Sequence, residues 1–127
     1  MINRSHFVFY VRDQEAATAF YRRALDREPT LHVPGMTEFE LCANAVLGLM
    51  PEAGITRLLG PDVDPSRAAG VPRAELYLMV TDPAAFHQRA LSAGGRELSA
   101  PAPRDWGHEA AYCADLDGHV IAFAKPL

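Results

Sequence analysis

The chain has 127 residues, enough for one domain with a real hydrophobic core and too few for two independent ones. Apolar residues make up 49% and charged residues 22%, the balance of a folded globular protein, so global disorder is excluded. The net charge of −4 lacks the basic excess that phosphate binding requires, and no stretch approaches the roughly 20 apolar residues of a membrane span, so neither nucleic acid nor membrane is an expected partner.

The opening residues, Met1 to Phe7, show no basic region followed by an apolar core, so no export signal is expected and a cytoplasmic location follows. Strict alternation then predicts a strand over His6 to Asp13, with Phe7, Phe9 and Val11 on one face and His6, Val8 and Tyr10 on the other. Asp13 is placed to cap a helix over about 14 to 25, whose Ala17, Phe20, Tyr21 and Ala24 fall at helical spacing. Strands follow at Glu38 to Cys42 and Val46 to Met50, joined by a turn at Ala43-Asn44. A linker rich in Pro and Gly, about 51 to 73, has only Ile55 to Leu59 able to form a helical turn.

The second half repeats the first. Glu75 to Asp82 matches His6 to Asp13, with Leu76, Leu78 and Val80 on one face and Glu75, Tyr77 and Met79 on the other. Asp82-Pro83 opens a helix that stops at Gly94-Gly95, where the first half has Asp26 in place of Gly95. Strands Glu109 to Cys113 and Val120 to Ala124 flank a turn at Asp117-Gly118. Each half therefore reads βαβββ, and the expected class is α+β: two βαβββ modules, about 4–50 and 74–126, forming a curved mixed-sheet trough in one domain spanning 1–127. Helices cover one face of each sheet and leave the other open to bind something.

Cys42 and Cys113 lack CxxC spacing and read as reduced, buried thiols. Phosphate loops, a GxSxG elbow and HExxH are absent from the sequence. His32, His87, His108 and His119 lie beside turns, prolines or on a helix and read as solvent-facing.

His6 ahead of Asp13, Ala19-Phe20-Tyr21 with Leu25, Asp105-Trp106-Gly107 and Asp115-Leu-Asp-Gly118 together make the chain resemble the vicinal oxygen chelate superfamily over residues 4 to 127. That group includes glyoxalase I, extradiol dioxygenases and bleomycin-type resistance proteins, and this chain is most similar to the metal-free resistance branch. The resemblance implies the glyoxalase/bleomycin resistance/dioxygenase fold and places the family's four metal positions at His6, Gly48, Glu75 and Ala122. Members usually carry Glu or Gln at the second, His or Gln at the third and Glu at the fourth. Gly48 and Ala122 have no donor, and two remaining ligands fall short of the three typical of catalytic sites, so no metal and no cofactor are expected.

Losing two carboxylates also leaves room and an apolar wall. The expected lining is Val8, Tyr10, Val46, Met50, Tyr77, Met79, Val120 and Ala124, with Trp106 on a loop, Pro101 to Gly107, closing over an occupant. The candidate ligand-binding residues are thus His6, Tyr10, Gly48, Met50, Glu75, Tyr77, Trp106 and Ala122, with His6 paired to Glu75 across the trough. The leading reading is a metal-free protein that sequesters a small aromatic or amphipathic compound such as an antibiotic, acting as a homodimer. The alternative is a lyase, isomerase or dioxygenase in which His6 and Glu75 are catalytic, with or without a divalent metal.

Overall fold

A computed structural model describes residues 1–68 and 71–127. The elements run β1 (Ser5–Val11), α1 (Gln14–Ala24), β2 (Leu31–Val33), β3 (Met36–Cys42), β4 (Ala45–Pro51), α2 (Glu52–Leu59), a short 3-10 turn at Pro65–Arg67, β5 (Glu75–Met79), α3 (Pro83–Ser92), β6 (Arg96–Pro103), β7 (His108–Ala114) and β8 (Val120–Pro126). This is the α+β, twice-repeated βαβββ arrangement expected from the sequence. Among the described residues no helix is long and apolar enough to cross a membrane.

The chain forms two compact units: Met1–Thr18 with Arg27–Gly70, and Ala19–Asp26 with Val71–Leu127. Helix α1 is divided between them, its first turns counted with the first unit and the rest with the second.

In the first unit the strands are ordered β1-β4-β3-β2, with β1 parallel to β4 and the others antiparallel. Asp13 caps α1 by accepting the Ala16 amide at 3.0 Å. Gln14 then ties the helix to the β2–β3 hairpin, donating to the Val33 carbonyl at 2.8 Å and the Thr37 hydroxyl at 3.0 Å while accepting the Gly35 amide at 2.9 Å. Thr18 and Thr37, both buried, share a hydrogen bond of 2.9 Å, so the covered face of this sheet is the one carrying Thr37, Phe39, Leu47 and Leu49. Phe7 shares that face but is 49% exposed, at the start of an edge strand. The linker holds more helix than its composition suggests: α2 begins directly at Glu52, with Pro51 as its cap residue, and buries Ile55.

In the second unit the order is β5-β8-β7-β6, with β5 parallel to β8. Asp82 accepts the Ala85 amide at 3.1 Å and Pro83 fills the first helical position, as its sequence predicts. Helix α3 packs Phe86 against Phe123 at 5.4 Å between ring centroids, over a core of Leu76, Ala90, Ala111, Cys113 and Ile121. His87 is 3% exposed and bonds Glu97 at 2.9 Å, which corrects its solvent-facing reading. The residue matching Asp26 (φ 54°) is Gly94 (φ 110°), because α1 is one residue longer than α3.

Gly95 is required for another reason. A Cβ there would lie 2.9 Å from the Ala90 carbonyl oxygen and 3.0 Å from that of Ala114. Gly95→Ala is therefore expected to destabilise the fold by about 1–3 kcal/mol through forced backbone movement. Urea unfolding of the two proteins checks it, and equal midpoints would contradict this packing.

Candidate functional site

The register fixes what shares the uncovered face of each sheet. In the first unit His6, Val8 and Tyr10 pair with Val46, Gly48 and Met50, and Glu38 lies opposite Gly48. The carboxylate of Glu38 lies 3.4 Å from Nδ1 of His6, so His6 has a partner within its own sheet that the sequence did not point to. The room expected at Gly48 is taken: a Cβ there would meet the Met36 sulfur and a Val8 methyl, each at 3.3 Å. Gly48 and Val46 are buried, whereas Tyr10 and Met50 keep partial exposure.

In the second unit Glu75, Tyr77 and Met79 pair with Val120, Ala122 and Ala124, which in turn pair with Ala114, Tyr112 and Ala110 of β7. Ala110, Ala122 and Ala124 have no exposed surface although they lie on the face away from α3. The Tyr77 hydroxyl lies 2.7 Å from Nδ1 of His108, at the start of β7, so the Tyr77 side chain reaches across β8. Ala122 is fully buried, a correction to its expected place on the open lining.

Trp106 joins the same hydroxyl, donating its indole N–H to Tyr77 at 3.1 Å while remaining 52% exposed. The segment expected as a loop over Pro101 to Gly107 is strand in its first three residues, where β6 continues through Pro103, and turns only over Arg104 to Gly107. Arg104 anchors that turn. Its guanidinium donates to Ser99 Oγ at 2.8 Å and to the carbonyls of Ala100 and Ala110 at 3.0 and 2.8 Å, and its own amide bonds the His108 carbonyl at 2.7 Å. Gly107 closes it with φ 90°, a left-handed conformation that suits glycine. Tyr112 lies below Arg104, 5.3 Å from ring centroid to guanidinium, and burial with the nearby Glu75 charge raises its pKa.

His108 was missed by the sequence reading, although alternation back from Tyr112 and Ala110 puts it on this face. His119 is likewise partnered, its Nδ1 2.8 Å from Asp115 Oδ2. Asp115 also accepts the Tyr21 hydroxyl at 2.6 Å and the amides of Asp117 and His119. Asp115, Asp117 and His119 bring three ligand-type atoms within 4.8 Å, but the Asp115 carboxylate is already committed to the turn and to α1, so the cluster is structural. Burial alone would raise the Asp115 pKa; the hydrogen bonds and charge of His119, with Tyr21, hold it below the usual carboxylate value. Burial, with Asp115 nearby, pushes Tyr21 well above the ordinary phenol range and Cys113 up to about 11. Cys42 is exposed, contrary to the expectation of two buried thiols.

Two shallow clefts of the first unit, one against Asp13–Glu15 and His32–Gly35 and one between Arg12, α2 and Ser66, include none of the predicted site residues. The metal positions the resemblance implies do not fit a metal: Gly48 and Ala122 supply no donor, and the space at Gly48 is occupied by Met36 and Val8.

The sequence profile of the glyoxalase/bleomycin resistance protein/dioxygenase superfamily matches residues 4–123, and the chain belongs to that superfamily. An uncharacterized protein of Mycobacterium bovis is 29% identical over 121 residues, covering 92% of this chain and 79% of its own. Among solved structures, a glyoxalase-related enzyme from Fulvimarina pelagi superposes with a TM-score of 0.82 at 21% identity, over 98% of this chain and 88% of its own. TioX from Micromonospora sp. ML1 gives 0.69 at 19% identity, over 97% and 99%. At these identities the structural likeness speaks to the fold.

Two outcomes are expected. Because the folded Asp115 pKa lies below its unfolded value, its stabilisation is present above about pH 3.9 and is lost as pH falls through the folded value. Asp115→Asn should therefore lower stability by about 1.5–3 kcal/mol at neutral pH, with the difference from wild type shrinking in acid; chemical unfolding across pH measures it. A maleimide should label Cys42 in the native protein and Cys113 only after unfolding, read by mass spectrometry.

Proposed function

We propose that this chain is a metal-free small-molecule binder of the superfamily, holding an aromatic or amphipathic compound such as an antibiotic on its uncovered sheet faces. The observation that carries the reading is Trp106: a half-exposed indole held in place by the Tyr77 hydroxyl on an anchored turn. An exposed ring fixed before binding loses little freedom when a flat guest stacks on it. Met79, 51% exposed, extends the apolar surface on the same face. The donor-poor metal positions support the metal-free state.

In this reading His6, Tyr10 and Met50 are the ligand-facing groups of the first unit's open face, and Glu75, Tyr77 and Trp106 those of the second unit's. Gly48 and Ala122 lie buried on those faces and contribute no polar group. A cytoplasmic homodimer is the expected form; the apolar β1 edge, where Phe7 and Val8 are 49% and 38% exposed, supports self-association. The enzyme alternative has one observation in its favour, the His6–Glu38 pair, a geometry in which a carboxylate orients an imidazole for proton transfer.

Tryptophan fluorescence titration with a panel of aromatic antibiotics tests the proposal, since Trp106 is the one tryptophan of the chain. Binding should weaken several-fold or more in Trp106→Ala, followed calorimetrically, given about 0.5–1.5 kcal/mol for one stacked ring beyond its buried area. Ala122→Glu, which forces a carboxylate into a fully buried position paired with Tyr77, should abolish it. Failure of every compound to perturb Trp106, or stoichiometric zinc, iron, nickel or manganese lost together with activity in His6→Ala, would favour the enzyme. Light scattering should give twice the 13.9 kDa chain mass, and the monomer mass at micromolar concentration would remove the dimer.

A further inference from the structure

We infer that Tyr77 and His108 together make the second unit's open face selective for planar compounds that donate a hydrogen bond, such as aryl amines, over equally sized compounds that only accept one. The inference rests on the small-molecule reading above and assigns a specificity role to His108. A tyrosine hydroxyl has one hydrogen to give and can accept at its oxygen. The indole N–H of Trp106 is a donor only, so at the 3.1 Å contact Tyr77 must accept. The second contact, 2.7 Å to His108 Nδ1, joins an acidic phenol to a basic ring nitrogen. An imidazole nitrogen is a much better acceptor than a phenol oxygen already accepting from Trp106, so the phenol gives its hydrogen to Nδ1 and the ring proton of neutral His108 sits on Nε2.

The hydroxyl then has nothing left to donate and keeps only acceptor capacity. A guest stacking on Trp106 meets an oxygen that welcomes an N–H or O–H and leaves a carbonyl unpaired, which is the asymmetry that makes polar discrimination strong. Arg104 turns its Nε and Nη2 away to Ser99, Ala100 and Ala110 and lies over the Tyr112 ring, so it does not compete for the Tyr77 oxygen. Glu75, on the same face, also favours donors over acceptors.

The test pairs two measurements at about pH 8, where ordinary histidines are neutral. Nitrogen-15 NMR of the ligand-free protein should show His108 Nδ1 without a proton; a proton on Nδ1 would overturn the inference whatever binds. Calorimetry with aminonaphthalene and acetylnaphthalene should then give the amine roughly three- to tenfold tighter binding in the wild type. His108→Leu, which frees the phenol hydrogen, should weaken or reverse that preference, and Tyr77→Phe should reduce it to the remainder that Glu75 supplies. Equal or tighter binding of the ketone by the wild type would overturn the selectivity while leaving the binding role intact. Binding of neither probe, with Nδ1 unprotonated, would instead overturn the reading of this face as a small-molecule site, and the selectivity with it.

Discussion

The open face of the second sheet depends on one hydrogen bond, 2.7 Å between the Tyr77 hydroxyl and His108. Strand β8 lies between the two parent strands, so the tyrosine must reach across it, and the residues of that face there, Ala122 and Ala124, are small and fully buried. Everything above follows from the same contact. The hydroxyl, once fixed, gives the Trp106 indole an acceptor, and the Arg104 anchor with the left-handed Gly107 sets the turn at the height where that contact is made.

The first unit meets the same requirement with different side chains. Where a carboxylate is absent at Gly48, Met36 and Val8 close to 3.3 Å of the missing Cβ, and Glu38 on the neighbouring strand stands beside His6. A void left by a lost side chain is unfavourable, and at Gly48 neighbouring side chains fill it. Gly48 and Ala122 offer no donor atom, so the polar and apolar chemistry of the two faces comes from the aromatic, thioether and carboxylate groups around them.

Local signals carried most of the fold. The strand alternations around Phe9 and Leu78, the caps at Asp13 and Asp82 and the turns at Asn44 and Gly118 are short-range effects, readable from a few residues each. Helix α2 was only partly legible, because Pro51 ends one strand and opens the helix in the same residue, and Gly54 masks its periodicity. Pro101 and Pro103 similarly suggested a loop where an irregular edge strand tolerates them. The site was less legible still. Tyr77 with His108, Tyr21 with Asp115, and His6 with Glu38 are pairings set by strand order and register, which no local pattern reports. Trp106 and Tyr77 were recognisable as residue types suited to binding; that they share one hydroxyl was not.

The most direct measurement of the central claim is residue-resolved NMR of isotope-labelled protein titrated with a planar aromatic amine. The account predicts saturable shifts centred on Trp106, Tyr77, His108 and Met79, with the side-chain resonance of Trp106 moving most. Shifts centred on α2 or the β2–β3 turn, with Trp106 unmoved at saturation, would contradict it.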